Sequence, residues 1–541
     1  MSQASRRAWL AAVPGATLLP AAAQAAPPPA TGTGIYNVRD YGAKGDGATL
    51  DTAAVQAAID ACHRDQGGTV LVPAGSFLIG AVELKSNVTL HIAAEGRLLG
   101  TTDGKQYHAI DAIPLEGDHT LGDGNWALLY AVNARNVTVE GPGTIDGQGA
   151  AFRSPGRGVP SPAGLSSHQR PYHLLCYRCE NLTVRNLFLT AGAYHSVRIA
   201  LCSFVHLDGI RIFNRVNHNN DGFHFISARY VHISNCDVQC QDDACALFGS
   251  CRFVTVTNSS FSTRWSVFRF GGGQADNIVV SNCLIYDTYG CPIKLRCGPG
   301  DRFENMSFAN LVMRNVTGPI SIGLGPMRER ASGAPAETPG VVRNISFRNI
   351  DAAVCVPQQL PDMPFLSGYN PGEIKSCMVL NGVDAYIENI SFDDVHVTFP
   401  GGGTPADAAP RAIPALAGEY YALGVLPAYA LYARRVRGLS MSNVHFEAAS
   451  PEARPAMVFD GVEDAAITAL AAQGDAAAAS LLRFTNTRDV LLTACRVLRA
   501  TPAFLDVEGS ASRNIRVSGG DLSKAREAVV FGPGAPRDAV R

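Results

Sequence analysis

The chain is short of charge. Only 17% of its 541 residues are Asp, Glu, Lys or Arg, and the formal net charge is -2. A typical domain carries about 25% charged residues. With no basic surplus there is no electrostatic footprint for nucleic acid or an anionic membrane. Lysine is the scarcest cation, with six in the whole chain. Past the N-terminus no uninterrupted apolar run of about 20 residues occurs, which excludes a helical membrane span there. Zinc-type cysteine spacing is missing too, because the pair Cys176 and Cys179 has no second CxxC to match it. What is abundant is 54 Gly and 32 Pro within a chain that is 46% hydrophobic. That mixture excludes a mainly disordered chain, argues against coiled coils and bundles, and points to short buried strands separated by turns.

The first residues read as an address. Ser5-Arg6-Arg7-Ala8-Trp9-Leu10 sets an arginine pair before a mostly apolar run from Ala8 to Ala23, and Ala23-Gln24-Ala25 has the small-x-small form of a cleavage site. We expect a twin-arginine signal peptide over residues 1–25 and a Pro-rich linker over 26–34, with a periplasmic or secreted bacterial protein as the product. Export permits disulfides. Most of the 14 cysteines nevertheless fall inside strand-like runs, so buried free thiols are expected, with one or two bridges at most.

A repeat decides the architecture. One phrase returns as Asn181-Leu182-Thr183-Val184-Arg185-Asn186, Val231-His232-Ile233-Ser234-Asn235, Val254-Thr255-Val256-Thr257-Asn258, Ile278-Val279-Val280-Ser281-Asn282 and Met306-Ser307-Phe308-Ala309-Asn310. Later copies end at Asn349 and Asn443, and Asp208-Gly209 marks a coil between Asn186 and Asn235. Length alone suggests three or four domains. A period in the low twenties with one alternating β run per unit instead signals a solenoid. Leucine-rich repeats need an LxxLxL frame, which is absent, and further strand-like runs such as Gly222-Phe223-His224-Phe225-Ile226 lie between the phrases. The expected fold is all-β: a single-stranded parallel β-helix, treated as one domain over residues 35–541, with coils about 170–330 carrying the chemistry and coils 450–541 the least regular. The recurring Asn would sit at a left-handed turn and bond the next coil's backbone. Asp51 and the run Ala53 to Cys62 predict a short N-terminal capping helix. Arg328 to Gly340 and the Gly401-Gly402-Gly403 run read as long turn insertions.

The sharpest chemical signal is carboxylate. Asp221 and Asp242 are 21 positions apart, about one coil, and Asp243 adjoins. Three acids on one patch raise at least one pKa, which keeps a proton donor available near neutrality. An acid plus a carboxylate that activates water is what glycosidic cleavage needs.

At these residues the chain resembles glycoside hydrolase family 28, the polygalacturonase-like enzymes, from Tyr36 to about Val397. Asp40-Tyr41-Gly42-Ala43-Lys44-Gly45-Asp46-Gly47 and Gly141-Pro142-Gly143-Thr144-Ile145-Asp146-Gly147 are shared with many β-helix carbohydrate enzymes. The family's own signature is Asn-Thr-Asp, Asp-Asp, Gly-His-Gly and Arg-Ile-Lys. Asn219-Asn220-Asp221 and Asp242-Asp243 match the first two. The resemblance implies a right-handed β-helix, Asp242 as general acid, Asp221 and Asp243 as holders of the attacking water, and inversion at the anomeric centre. Two elements depart. Thr263-Arg264-Trp265-Ser266 stands where Gly-His-Gly is expected, and Pro292-Ile293-Lys294 keeps the Lys but not the Arg that would hold a uronate carboxylate. Candidate substrate ligands are therefore Lys294, Arg264, Asn219, Arg296, Arg269 and His195, with His218, His224 and Trp265 as weaker ones. The expected partner is a pectin-like or related poly- or oligosaccharide, which is a neutral sugar chain if no arginine restores the anion site. No cofactor, metal, nucleic acid or membrane is called for, and a monomer is expected. Two rivals stand beside hydrolysis. In a polysaccharide lyase Asp221, Asp242 and Asp243 would bind Ca²⁺ and Arg264 would take the proton. A non-catalytic carbohydrate-binding β-helix is the other.

Overall fold

The computed structural model describes residues 34–115, 124–155, 159–330, 337–356 and 375–541. The expected signal peptide, all but Gly34 of the expected linker, and part of the Arg328 to Gly340 insertion lie outside the described residues. Alternating apolar residues in the repeated phrase form strands, and the strands stack coil on coil. One sheet has 25 strands and the other 15, and every pairing is parallel. Winding of parallel strands is right-handed for reasons of chain twist. The chain is the expected right-handed parallel β-helix.

Register makes the repeat physical. Val137, Leu182, Val205, Val231, Val254, Ile278 and Met306 follow one another as paired residues in successive coils. All are at most 2% exposed. Each such side chain contributes roughly 1.5–3 kcal/mol by leaving water. Phenylalanines do the same lower in the stack, with Phe308, Phe347 and Phe392 at ring spacings of 5.4 and 5.1 Å. All 14 cysteines are free and only Cys355 is not fully buried, so the interior uses them as small hydrophobes.

The recurring asparagines turn the chain. Asn186, Asn235, Asn258, Asn282, Asn310, Asn349 and Asn443 all have φ between 49° and 60°, and Gly209 holds the same place at 61°. The amides bond side chains of the neighbouring coil rather than the backbone expected: Asn310 Nδ2 donates to Asn282 Oδ1 and Asn349 Nδ2 to Asn310 Oδ1, both at 2.9 Å, while Asn235 and Asn443 donate to Asp208 and Asp394 at 2.7 and 2.8 Å. A second ladder runs Asn389 to Asn344 to Asn305, each step 3.0 Å. Over the coils between Asn181 and Asn277 that second ladder is replaced by Phe204, Tyr230 and Phe253, whose φ values are 57°, 54° and 57°. Their rings stack at 4.9 and 5.0 Å.

The N-terminal end is covered by the α-helix Thr52–Arg64, which buries Val55, Ala58, Ile59 and Cys62. Asp51 sits at the N-cap position, but its carboxylate accepts from the Lys44 and Gly45 backbone amides at 2.7 and 2.9 Å and does not cap the helix. No described helix is long and apolar enough to cross a membrane. The Gly401 region opens a long insertion between the strands Ile387–Phe399 and Leu431–Arg434, and it carries the short helices Pro405–Ala408 and Tyr420–Leu423.

Candidate active site

Five consecutive coils of the smaller sheet build the site: Val197–Ala200, Phe223–Ile226, Cys245–Phe248, Phe268–Gly271 and Ile293–Cys297. Phe223 pairs with Cys245, so one coil here is 22 residues. In the turn before that strand the Gln241 and Asp242 amides both donate to the Asn220 carbonyl at 3.1 Å, and the Gly222 amide donates to the Asp243 carbonyl at 3.0 Å, so the turn takes up one residue and Asp242 and Asp243 together lie opposite Asp221. All three carboxylates lie in the turns entering this sheet, where the chain leaves a left-handed Asn219 with φ of 54°.

Asp242 is the perturbed acid. Burial, then the neighbouring Asp243 carboxylate, push it from 3.8 up to about 7. Its Oδ2 accepts from Asn219 Nδ2 at 3.2 Å and its Oδ1 from the Asp243 amide at 2.9 Å. Asp243 is also raised by burial, against the pull of Lys294 and Arg269, and its Oδ1 accepts from the Ser266 amide at 3.1 Å.

Asp221 sits between two imidazoles. His224 Nδ1 donates to Asp221 Oδ2 at 2.7 Å, and His195 Nε2 lies 3.6 Å from Asp221 Oδ1. The rings of His195 and His224 stack at 4.4 Å. His195 Nδ1 accepts from Arg198 Nη1 at 3.3 Å, which leaves the His195 proton on the nitrogen facing Asp221. Burial, with the cations Arg198 and Arg170 around His195 and Arg198 and Arg269 around His224, holds both imidazoles well below their usual range. His195, Asp221 and His224 are the one group of metal-ligand type within reach of each other among the described residues. The surrounding guanidiniums and the bond from His224 to Asp221 make this a poor nest for a cation. Asp221, Asp242 and Asp243 do not converge in that way, so the geometry gives the calcium-lyase reading no ion site among the described residues.

The remaining expected ligands separate. Asn219 belongs to the site, bridging Asp242 and Arg170, whose Nη2 reaches Asn219 Oδ1 at 3.0 Å. Lys294 also belongs: its ammonium lies 5.7 Å from the Trp265 ring centre and its charge acts on Asp242 and Asp243. Arg269 pairs in register with Lys294 and lies over the Phe248 ring at 5.2 Å. Arg264 is fully buried and lies over the Tyr289 ring, 4.5 Å from its centre. Arg296 is tied to the insertion and to the turn before it, donating to the Ala417 and Met327 carbonyls at 2.8 and 3.4 Å.

Three residues escape the sequence reading. Arg198 continues the column Arg198, His224, Ala246, Arg269, Lys294, a charged or polar phase inside buried strands that is readable only once the register is known. Arg170 lies over the Tyr194 ring at 4.0 Å and carries no motif. Glu419 comes from 125 positions beyond Lys294 and meets it at 3.5 Å, both side chains about 5% exposed. Burial alone would raise the Glu419 carboxyl, but Lys294, Arg296 and Arg269 outweigh it and hold it below the usual range.

A stack of coils with paired acids in its groove has a match among known families: residues 62–361 fit the family described as glycosyl hydrolases family 28. The chain belongs to this family. It is a glycoside hydrolase. Similar proteins include an exopolygalacturonase of Zea mays, 25% identical over 350 residues, covering 60% of this chain and 78% of that one. A probable polygalacturonase of Vitis vinifera is 30% identical over 215 residues, which span 38% of this chain and 43% of the relative's length. Two solved structures share the fold of this family 28 chain. The exopolygalacturonase from Thermotoga maritima has 19% identity and a TM-score of 0.58 over 77% of this chain and 93% of its own. The family 28 exopolygalacturonase of Yersinia enterocolitica has 19% identity and a TM-score of 0.56 over 80% and 78%.

Proposed function

We propose that this family 28 enzyme is exported and hydrolyses a glycosidic bond in a pectin-like poly- or oligosaccharide. Asp242 donates the proton to the leaving oxygen. Asp221 and Asp243 hold and activate water, and the anomeric centre inverts. The observation that carries this reading is the Asp242 carboxyl, raised to about 7 by burial and by Asp243. A donor poised there is protonated in mildly acidic media and still transfers readily.

Polygalacturonase names among the relatives support a pectin-like substrate. The charges near Lys294 refine that reading. Glu419 offsets the one motif cation that the chain keeps, and Arg296 is bound to main-chain carbonyls. The subsite under Lys294 therefore suits a hydroxyl-bearing unit of a pectin-like chain better than a bare carboxylate. The reading of residues 1–25 as a twin-arginine leader, of 35–541 as one domain, and of a monomer belongs to the same proposal.

Release of reducing ends from pectic and related polysaccharides, with the product anomer followed by NMR, tests it. Wild type should release an inverted product without absorbance from an unsaturated sugar, and chelator should not change the rate. Full activity in Asp242→Asn would sink the assignment.

A further inference from the structure

A second pocket lies on the same face of the solenoid, toward the C-terminal coils. Its cavity is about 240 Å³. Ser480, Arg483 and Asp506 form its floor, with Ala408 and Arg411 of the 400–428 insertion on one side and Pro455 on the other. Arg483 and Asp506 are paired in register on adjacent strands and point the same way. Three polar atoms on these walls are buried without a hydrogen-bond partner: Ser480 Oγ, Arg483 Nε and Asp506 Oδ1. Ser480 and Arg483 are 1% and 4% exposed.

Elsewhere these side chains are fixed. Arg483 Nη1 and Nη2 donate to the Ala408 and Pro410 carbonyls at 2.7 and 3.0 Å. Arg411 is held by two 2.7 Å bonds to Glu508. The pocket is thus preformed, and it offers one N–H donor, one carboxylate acceptor and one hydroxyl that can do either. Alanine and proline supply the apolar part of the lining. Carboxylates at Asp506 and Glu508 disfavour an anion, and guanidiniums at Arg411 and Arg483 disfavour a cation. A neutral ring bearing several hydroxyls, with an apolar C–H face, answers all of these groups. The volume sits just below the roughly 300–1,000 Å³ of pockets for drug-sized ligands, which suits one sugar unit.

The place fits as well. Lys294, Ser321, Val379, Tyr432, Val458 and Arg483 form one outward column of paired residues. At about 4.8 Å per strand the pocket lies roughly 24 Å along the solenoid from Lys294. The insertion touches both places, through Glu419 at one end and Ala408 and Arg411 at the other.

We propose that this pocket is a second carbohydrate-binding site that takes a neutral glycosyl unit of the polymer whose bond is cleaved near Asp242. It rests on the glycoside hydrolase reading for the kind of ligand only; binding there is read without catalysis. The test uses the full mature chain with Asp242→Asn to stop turnover. Neutral galacto- and arabino-oligosaccharides and oligogalacturonides are the probes, followed by saturation-transfer NMR and calorimetry. Ala479→Trp fills the pocket from its exposed rim, Ala477→Trp repeats this from a second exposed position, and circular dichroism checks that each is folded. The neutral probes should bind the parent, and both tryptophan variants should weaken that binding at least tenfold. In the catalytically intact chain the same variants should raise KM for polymer several-fold, with kcat on a short aryl glycoside unchanged. Equal binding of the neutral probes in parent and variants, no binding in any, or binding of oligogalacturonide alone overturns the proposal. A fully active Asp242→Asn chain would instead overturn the catalytic reading and leave the pocket measurement standing.

Discussion

Replacing Asp242 by Asn should cost activity and add stability, and the second effect should depend on pH in a fixed direction. The folded carboxyl is raised from 3.8 to about 7, first by burial and then by Asp243. Three units at 1.36 kcal/mol each would be about 4 kcal/mol, and partial exposure reduces this to about 2–4 kcal/mol. A group whose folded pKa lies above its unfolded value stabilises the fold while protonated and loses that advantage as pH rises. Wild type and Asp242→Asn should therefore match near pH 4. The variant should then gain steadily up to about pH 7 and keep the full 2–4 kcal/mol at about pH 8. Because Asp243 titrates with Asp242, the gap belongs to the pair and spreads over more than one pH unit. Urea denaturation at several pH values reads it directly. Thermal scans should show about 1 °C per kcal/mol for a chain of this length, from an unfolding entropy near 2.1 cal/mol/K per residue. Activity should fall on the order of 10²- to 10⁴-fold. A stability gap that stays constant with pH, or that grows toward low pH, would refute the assignment of the raised pKa to Asp242.

Asp243→Asn removes the second cause of that raised value as well as a water-holding carboxylate, so kcat should fall and the alkaline limb of the residual kcat/KM should move to lower pH. Glu419→Gln leaves Lys294 without its counter-charge; the ratio of kcat/KM on uronate-bearing to neutral oligosaccharides should rise about tenfold, as measured with paired substrates. Asn344→Ala breaks one accepted and one donated ladder bond and forces alanine into the left-handed region, where φ is 58°. It should lose about 1–3 kcal/mol in urea titration. Dithiothreitol should leave the melting temperature unchanged, since all 14 cysteines are thiols.

The coil is legible because its turns require a residue that tolerates positive φ, and the strands of an ordinary sandwich do not supply asparagine at a constant phase. The asparagines at φ near 50–60° are the turns themselves, so their phase in the sequence is the phase of the coil. The acids are legible for the same reason, since a coil period brings distant Asp residues to one height. The 21-position spacing is one residue short of the 22 from Phe223 to Cys245, and the turn takes up the difference, leaving Asp242 and Asp243 both opposite Asp221. What covers Arg264 is not legible, because a guanidinium in a sequence says nothing about its neighbours, and here Tyr289 is one. Glu419 is out of reach for a different reason. Its contact with Lys294 spans 125 positions and is delivered by an insertion whose path no local pattern encodes. The pair His195 and His224 has no signal beyond proximity to Asp221, because their stacking depends on which strand faces which.

The site draws its groups from five neighbouring coils: His195 from one, Asp221 and His224 from the next, then Asp242 with Asp243, Arg269, and Lys294. This sets where such a chain can grow. A whole coil added or lost beyond the insertion that carries Glu419 slides one rigid stack against another and leaves every distance among these groups as it was. The same event inside the five-coil stretch moves one group past its partners by a full strand spacing of about 4.8 Å, some ten times the roughly 0.5 Å tolerance of a working site. Length is therefore free to vary at the C-terminal end, where the second pocket lies, and frozen between His195 and Lys294.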